Sequence, residues 1–564
     1  MVSAVAAALA TSAALPTFAG AEDTGGSAAA SREKRSPAQE RLHLDSLTIP
    51  EAQERMEEGS LTSVGLTEAY LHRILLLDPR LNSIIDIDHQ ALGQARASDE
   101  RREHEGPRSE LEGIPVLLKD NIDAEGFATT AGSRALLSTR PDDAELTSRL
   151  RDAGAIILGK TNLSEWANFR GDASTSGWSG VGGQTNNPYV LDRNPCGSSA
   201  GSGVAAAAAL AQLTIGTETD GSIVCPAGAN GIVGLKPTLG LVSRDGIIPI
   251  SAEQDTAGPM ARHVVDVAIA TAVLQGVDER DAATSEIPAG QPQDYAALLD
   301  DESLDGARVG VWRPYVLGRL DGNEPPEGWT EENEAGLQAV EDVLTASRTS
   351  LEEAGATVVE IELSYQDQIN AAEFPLLISE FARDLPAYLG ATPGEHPSTI
   401  QGLIDVNAAD PVELSVFGQE IFELTASEPR KPTPETMALR EETRRLARAS
   451  IDEVLAENNL DVIVAPTNSA AWETTYSTTD GEGDRFLFGS SGPAAVAGYP
   501  NITVPAGYVG PLPIGLSFFG TRWDEADLLS YAYDFEDETQ VRVRPRFLLT
   551  MDTPAPSLTP SPVS

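Results

Sequence analysis

CGSSAGSGVAAAAALAQLTIGTETDGSIVCPAGANGIVGLKP, residues 196–237, decides how this chain is read. Glycine and small hydroxyl residues are denser here than a plain structural segment requires. Glycine tolerates positive φ and lets a ligand approach the backbone closely. Serine supplies a hydroxyl that can attack or relay a proton. Within the stretch, an alanine-rich run at 204–212 predicts a helix. A short apolar piece, Leu213-Thr214-Ile215, leads into Gly216-Thr217-Glu218-Thr219-Asp220-Gly221-Ser222. A Gly/Ser run can also be a flexible linker. Apolar sequence on both sides of this one argues against a linker and for a site inside a domain.

Working outward, the 564 residues allow three or four domains or one large α/β domain. Apolar residues make up 41% of the chain, ample for a core. Acidic residues number 86 and basic residues 39, a formal net charge of −47. Such a chain is a poor nucleic-acid binder, because that role needs basic patches. The surplus charge repels itself, and salt screens the repulsion. Lysine occurs only at Lys34, Lys119, Lys160, Lys236 and Lys431. A chain that avoids lysine yet keeps three in its glycine-rich half points to specific roles for them. The two cysteines, Cys196 and Cys225, make neither a disulfide framework nor a zinc site. Both flank the serine-rich stretch, so a bridge is open, and two buried free thiols are the preferred reading. The six histidines form no metal-ligand pair such as HExxH.

Residues 1–21 look like the apolar region and cleavage site of an export signal, although no positive segment precedes them. The expectation is a secreted or exported protein, with a cytoplasmic one as the alternative, and no stable membrane insertion. Residues 22–41 read as a polar linker, 42–545 as the folded domain and 546–564 as a disordered tail. Helices are predicted at 49–51 onward, at 146–153, at 264–274, and after a cap at Ser63. Strands are predicted at 113–119, 155–160, 247–250, 309–312, 357–361, 461–465, 502–504 and 514–518. Helices alternating with strands predict an α/β fold: a large, mixed, mostly parallel central sheet covered by helices on both faces. From 287 to 449 acidic, helix-forming sequence dominates and reads as an elaboration over that core. Monomer and homodimer are both open.

Two hydrolytic constellations can be assembled from these residues. Gly197-Ser198-Ser199-Ala200-Gly201 matches the GxSxG nucleophile elbow, with His263 or His396 as its base. That elbow must follow a strand, and residues 186–195 read as loop. The other base is a lysine whose pKa is lowered by burial. Lys119, Lys160 and Lys236 all qualify from the residues alone.

Several motifs together resemble the amidase signature family of serine amidases. They are GIPVLLKDNI (113–122), GAIILGKTNLSEWA (154–167), CGSSAGS (196–202) and GTETDGSIVCPAGANGIVGLKPT (216–238). DGIIPIS, QDTAGPM, GYPNITVPAG and LPIGLSFFG agree, and the resemblance spans roughly 42–545. KTNLSEWANFRG and TETDGSIVCPA are most similar to bacterial peptide amidases. The resemblance implies an amidase-signature fold and hydrolysis of carboxamides to acid and ammonia through a seryl acyl-enzyme, with peptide amides as candidate substrates. It implies Ser222 as nucleophile, Ser198 as bridging serine after a cis bond from Gly197, and Lys119 as base, with no metal or organic cofactor. Backbone amides of Thr219, Asp220, Gly221 and Ser222 become the oxyanion hole, and Ala167, Asn168 and Ser199 become substrate contacts. Many members carry glycine at the place of Asp220 and arginine at that of Val224, so any preference set by that arginine is open. The glutaminase component of a tRNA-dependent amidotransferase shares the signature and is the alternative, ahead of a Ser-His-Asp hydrolase.

Overall fold

The computed structural model describes residues 42–314, 330–476, 483–485 and 487–552. The signal-like segment and the linker lie outside them. Eleven strands form one sheet. In chain order they are β1 (Ile84–Ile87), β2 (Pro115–Lys119), β3 (Ile156–Thr161), β4 (Leu213–Glu218), β5 (Val233–Lys236) and β6 (Thr256–Ala261). They continue with β7 (Arg308–Trp312), β8 (Thr357–Ile361), β9 (Val462–Pro466), β10 (Asn501–Val509) and β11 (Leu512–Phe519). The spatial order is β1-β3-β2-β4-β6-β5-β10-β11-β9-β7-β8. The sheet is mixed, with parallel pairs in two blocks: β3-β2-β4 near one edge and β9-β7-β8 at the other. Each block contains a helical crossover, Glu145–Asp152 between β2 and β3 and Glu331–Glu353 between β7 and β8. Antiparallel strands join the blocks.

Both faces of the sheet are covered, and β9 shows how the sequence arranges it. Alternate strand residues point to opposite faces. Val462 and Val464 enter one core with α1 (Ser63–Leu81) and the helix Val264–Leu274. Ile463 and Ala465 enter a second core with the helices Pro434–Asn458 and Gly492–Ala497. A strand buried on both sides reads as a continuous apolar run, which is how 462–465 reads. Fully burying one Val, Leu or Ile side chain contributes about 1.5–3 kcal/mol.

Several local expectations are corrected. Thr62, not Ser63, caps α1: its hydroxyl accepts from the Gly65 N–H, and Ser63 is buried inside the first turn. Residues 247–250 are a loop, held where the Asp255 carboxylate accepts from the Ile250 and Ser251 N–H groups. The helix after Ser199 is α2 (Ala200–Ala207), so it starts inside the glycine-serine run and stops before 212. The segment 287–449 contributes sheet strands β7 and β8 as well as helices. The tail boundary also moves. Phe547 and Leu548 donate backbone N–H groups to Pro188 and Tyr189, and Leu548 is buried, so ordered chain runs past 545.

Candidate active site

Lys119 is the last residue of β2, fully buried in the sheet. Its Nζ lies 2.7 Å from Ser198 Oγ, 2.9 Å from Thr217 Oγ1 and 3.2 Å from the Thr217 carbonyl. Burial pulls its pKa down to about 7, against the opposing pull of Glu218 and Asp255. A neutral amine has two N–H donors and one lone pair. Thr217 supplies two acceptors, which leaves the lone pair for the Ser198 hydroxyl. The other two lysines sit differently. Lys160 pairs with Asp120 at 2.9 Å and donates to the Ile122 carbonyl. Lys236 donates to the Pro237 carbonyl, and burial lowers its pKa to about 8. Neither is bonded to a serine. Of the three lysines, Lys119 is the one in contact with a serine hydroxyl.

Two loops meet above Lys119. The first carries Ser198, which follows a cis peptide bond from Gly197. The second, from the end of β4 into α3 (Val224–Ala229), carries Ser222. The Ser199 N–H donates to the Ser222 carbonyl at 3.1 Å and ties the loops together. Ser199, expected from the resemblance to contact substrate, does not line the cavity. Its side chain is fully buried and donates to the Thr217 carbonyl at 3.0 Å, facing β4 rather than the cavity. Glu218 fixes the far side of Ser222: its carboxylate accepts from Ile223 N at 2.7 Å and Val224 N at 3.0 Å. Burial raises the pKa of that carboxyl, and Lys236 opposes the rise. Gly221 adopts φ +74°, the left-handed region that glycine enters without steric cost. The amides of Thr219, Asp220, Gly221 and Ser222 donate to no backbone carbonyl among the described residues. They are thus free to act as donors.

Cys196 and Cys225 are joined in a disulfide, which overturns the reading of two free thiols. Cys196 takes φ +57° and is held by an N–H bond to Asn194 Oδ1. That turn brings its Cα within 6.0 Å of the Cys225 Cα, inside bridging range. The two positions are 29 residues apart in sequence, and nothing in the spacing announces their approach.

Ser222 opens into a cavity of about 1040 Å³. Ala167 and Asn168 line it. Trp166, Ala167 and Asn168 are successive left-handed residues, a conformation costing a non-glycine residue roughly 1–2 kcal/mol. The structure beneath holds them there. Asn168 Nδ2 donates to Ser174 and Ser176, and buried Arg170 stacks on Phe417 between Glu165 and Glu413. Val224 lines the cavity where many family members have arginine. The motif-poor segment supplies much of the opposite wall, including Trp312, Arg313, Tyr365, Asp367, Asn370 and Phe374. Sequence reasoning missed these residues because no motif marks them. It also passed over Asp255, which accepts from Thr219 Oγ1 at 2.6 Å and is raised to about pKa 6 by burial. Its place in the QDTAGPM motif was the available signal. The histidine reading has no geometric support. His263 Nδ1 lies 3.3 Å from Glu536, and the His396 ring contacts the Thr392 and Pro397 carbonyls. No histidine lines the cavity among the described residues.

The amidase family profile matches residues 65–529. A probable amidase of Arabidopsis thaliana is 35% identical over 518 residues, covering 90% of this chain and 92% of its own length. A glutamyl-tRNA(Gln) amidotransferase component from Roseiflexus castenholzii is 34% identical over 515 residues, covering 89% of this chain and 97% of its own. The solved peptide amidase of Stenotrophomonas maltophilia superposes with a TM-score of 0.81 at 46% identity, covering 89% of this chain and 99% of that one. The likeness extends over nearly all of the described fold, and the chain belongs to the amidase family as an amide hydrolase.

Proposed function

We propose that this amide hydrolase cleaves C-terminal carboxamides of peptides, with Ser222 as nucleophile, Ser198 as relay and Lys119 as base. The observation that carries the reading is the 2.7 Å contact between a buried lysine of pKa about 7 and Ser198, beside the cavity that Ser222 lines. Neutral Lys119 takes the Ser198 proton while Ser198 takes that of Ser222, and Ser222 Oγ bonds to the amide carbon. The free amides of residues 219–222 receive the oxyanion that develops there; one such donor is worth about 3 kcal/mol. The relay then returns a proton to nitrogen, and ammonia leaves. Water hydrolyses the acyl-enzyme by the same path reversed. The expected result for Ser222→Ala is a folded protein with at least roughly 10⁴-fold lower kcat. Near-normal turnover would reject Ser222 as the nucleophile.

Charge in the cavity supports peptide amides over free glutamine, the substrate class suggested by the amidotransferase relatives. Glutamine brings a free carboxylate. Asp172, Asp220, Glu362, Asp367 and Asp484 line the cavity, and the guanidinium of Arg313 is engaged by Glu341 and Glu360. Ammonia release from peptide amides, small aliphatic amides and glutamine distinguishes the readings. We further propose export from the cytoplasm, supported by the signal-like residues 1–21 and by the disulfide, a bond that persists in oxidising compartments. Finding the mature protein in the cytosol with residues 1–21 attached would contradict export.

A further inference from the structure

We propose that the Cys196–Cys225 disulfide is a positioning brace for catalysis, and that reductants reach it through the substrate cavity. The inference rests on the serine-relay reading above. Cys196 stands two residues before Ser198, and Cys225 stands three after Ser222. The bond therefore ties together the two loops whose hydroxyls must exchange a proton.

The other restraints on these loops act from the opposite sides. Ser198 is held from below by Lys119, and the segment after it is held by the Ser199 N–H on the Ser222 carbonyl. Glu218 holds the amides of Ile223 and Val224 from beneath the start of α3. On the cavity side, residues 195–197 have the disulfide. Cys196 is in the left-handed region with its N–H on Asn194 Oδ1; Asn230 Nδ2 donates to the Pro195 carbonyl at 2.8 Å and the Ser164 N–H to the Ser198 carbonyl at 3.0 Å, and to these hydrogen bonds the disulfide adds a covalent tie between Cys196 and α3. Proton relay tolerates displacements of only a fraction of an ångström, and a misplacement near 1 Å can cost about 100-fold. A covalent tie at this position removes that freedom.

Cys196 and Cys225 both line the cavity, and Cys225 is partly exposed there. A small dithiol can enter by the substrate's route. Its thiolate attacks one sulfur and forms a mixed disulfide, and the second cysteine leaves as a thiolate that takes up a proton. The second thiol of the reagent then displaces the remaining cysteine. Two electrons and two protons pass to the protein, and the reagent leaves as a cyclic disulfide. The enzyme keeps its sequence and loses only the tie.

The test compares oxidised enzyme, dithiothreitol-reduced enzyme and the Cys196→Ser/Cys225→Ser double variant, with circular dichroism to verify the fold. The brace predicts a kcat lower by about 10- to 100-fold in both untied forms, with KM within about threefold. Reoxidation should restore the reduced enzyme, and dithiothreitol should not change the double variant further. Access through the cavity predicts that a saturating amide substrate slows reduction of the Ser222→Ala protein at least fivefold. If the untied forms fold and keep kcat within twofold, the brace is overturned. If reduction is equally fast with and without the amide, the access route is overturned. If Ser222→Ala is itself fully active, the relay reading fails instead, so the two failures are separable. Should the double variant not fold, the reversible reduction of the native enzyme still decides the matter.

Discussion

Residues 113–262 and residues 287–449 meet across one cavity and are built on different principles. The first region places its chemistry by close backbone approach. Strand ends, tight turns and small residues set Lys119, Ser198, Ser222 and the free amides; Lys119 and Ser198 are fully buried, and Thr219 and Asp220 open outward. The second region places side chains from helices and from a strand end: Trp312, Tyr365, Asp367 and Phe374 project into the cavity. Phe374 is 43% exposed. Backbone-defined geometry leaves little freedom in sequence and so produces readable motifs. A wall of side chains tolerates exchange. On the proposed relay, the chemical step falls to the first region, and the second supplies the facing wall of the cavity.

The largest expected effect separates two lysines within the first region. Lys119→Met should lower kcat by roughly 10⁴-fold or more, because the base is gone. Lys160→Met should instead destabilise the fold by about 3–5 kcal/mol, since it leaves the buried Asp120 carboxylate without its cation. Chemical denaturation and kinetics on both variants check the contrast; a stable, inactive Lys160→Met would break it.

Next is the pH profile. Lys119 has its pKa lowered to about 7, and only its neutral form accepts a proton. Activity should therefore rise with pH through an acid limb centred near 7, and the limb should vanish from the residual rate of Lys119→Met. A limb centred near 4 to 5 would point to a carboxylate base.

Changes in the second region should be smaller and of another kind. Phe374→Ala should raise KM for peptide amides with a large apolar C-terminal residue by about 3- to 10-fold and leave kcat within about twofold. Asp367→Asn should improve kcat/KM for acidic peptide amides relative to basic ones by a few-fold, and salt should erase the gain. Loss of kcat in either variant would show that this wall also serves the chemical step.

The smallest effect concerns the whole surface. With a net charge of −47, the compact state suffers more self-repulsion than the unfolded chain. Raising sodium chloride from about 0.01 M to 1 M shortens screening from about 30 Å to about 3 Å. The Tm should rise by several degrees, and a flat or falling Tm would refute the charge argument.

The sequence by itself determined the α/β class and most core strands, and its motifs marked Ser198 and Ser222 as the candidate hydroxyls. Apolar runs such as 462–465 have one stable destination, a strand buried on both faces, and the glycine-serine motifs have few geometries open to them. Only the tertiary structure decided the rest. β6, Thr256–Ala261, carries Gly258 and Pro259, which read against a strand, yet it lies inside the sheet between β4 and β5. Its pairing with those neighbours outweighs local preference. The lysine that could serve as base, the inward turn of Ser199, the Cys196–Cys225 bond and the far wall of the cavity were likewise decided by the fold. Each depends on contacts between residues far apart in the chain, and a contact of that kind leaves no local pattern to read.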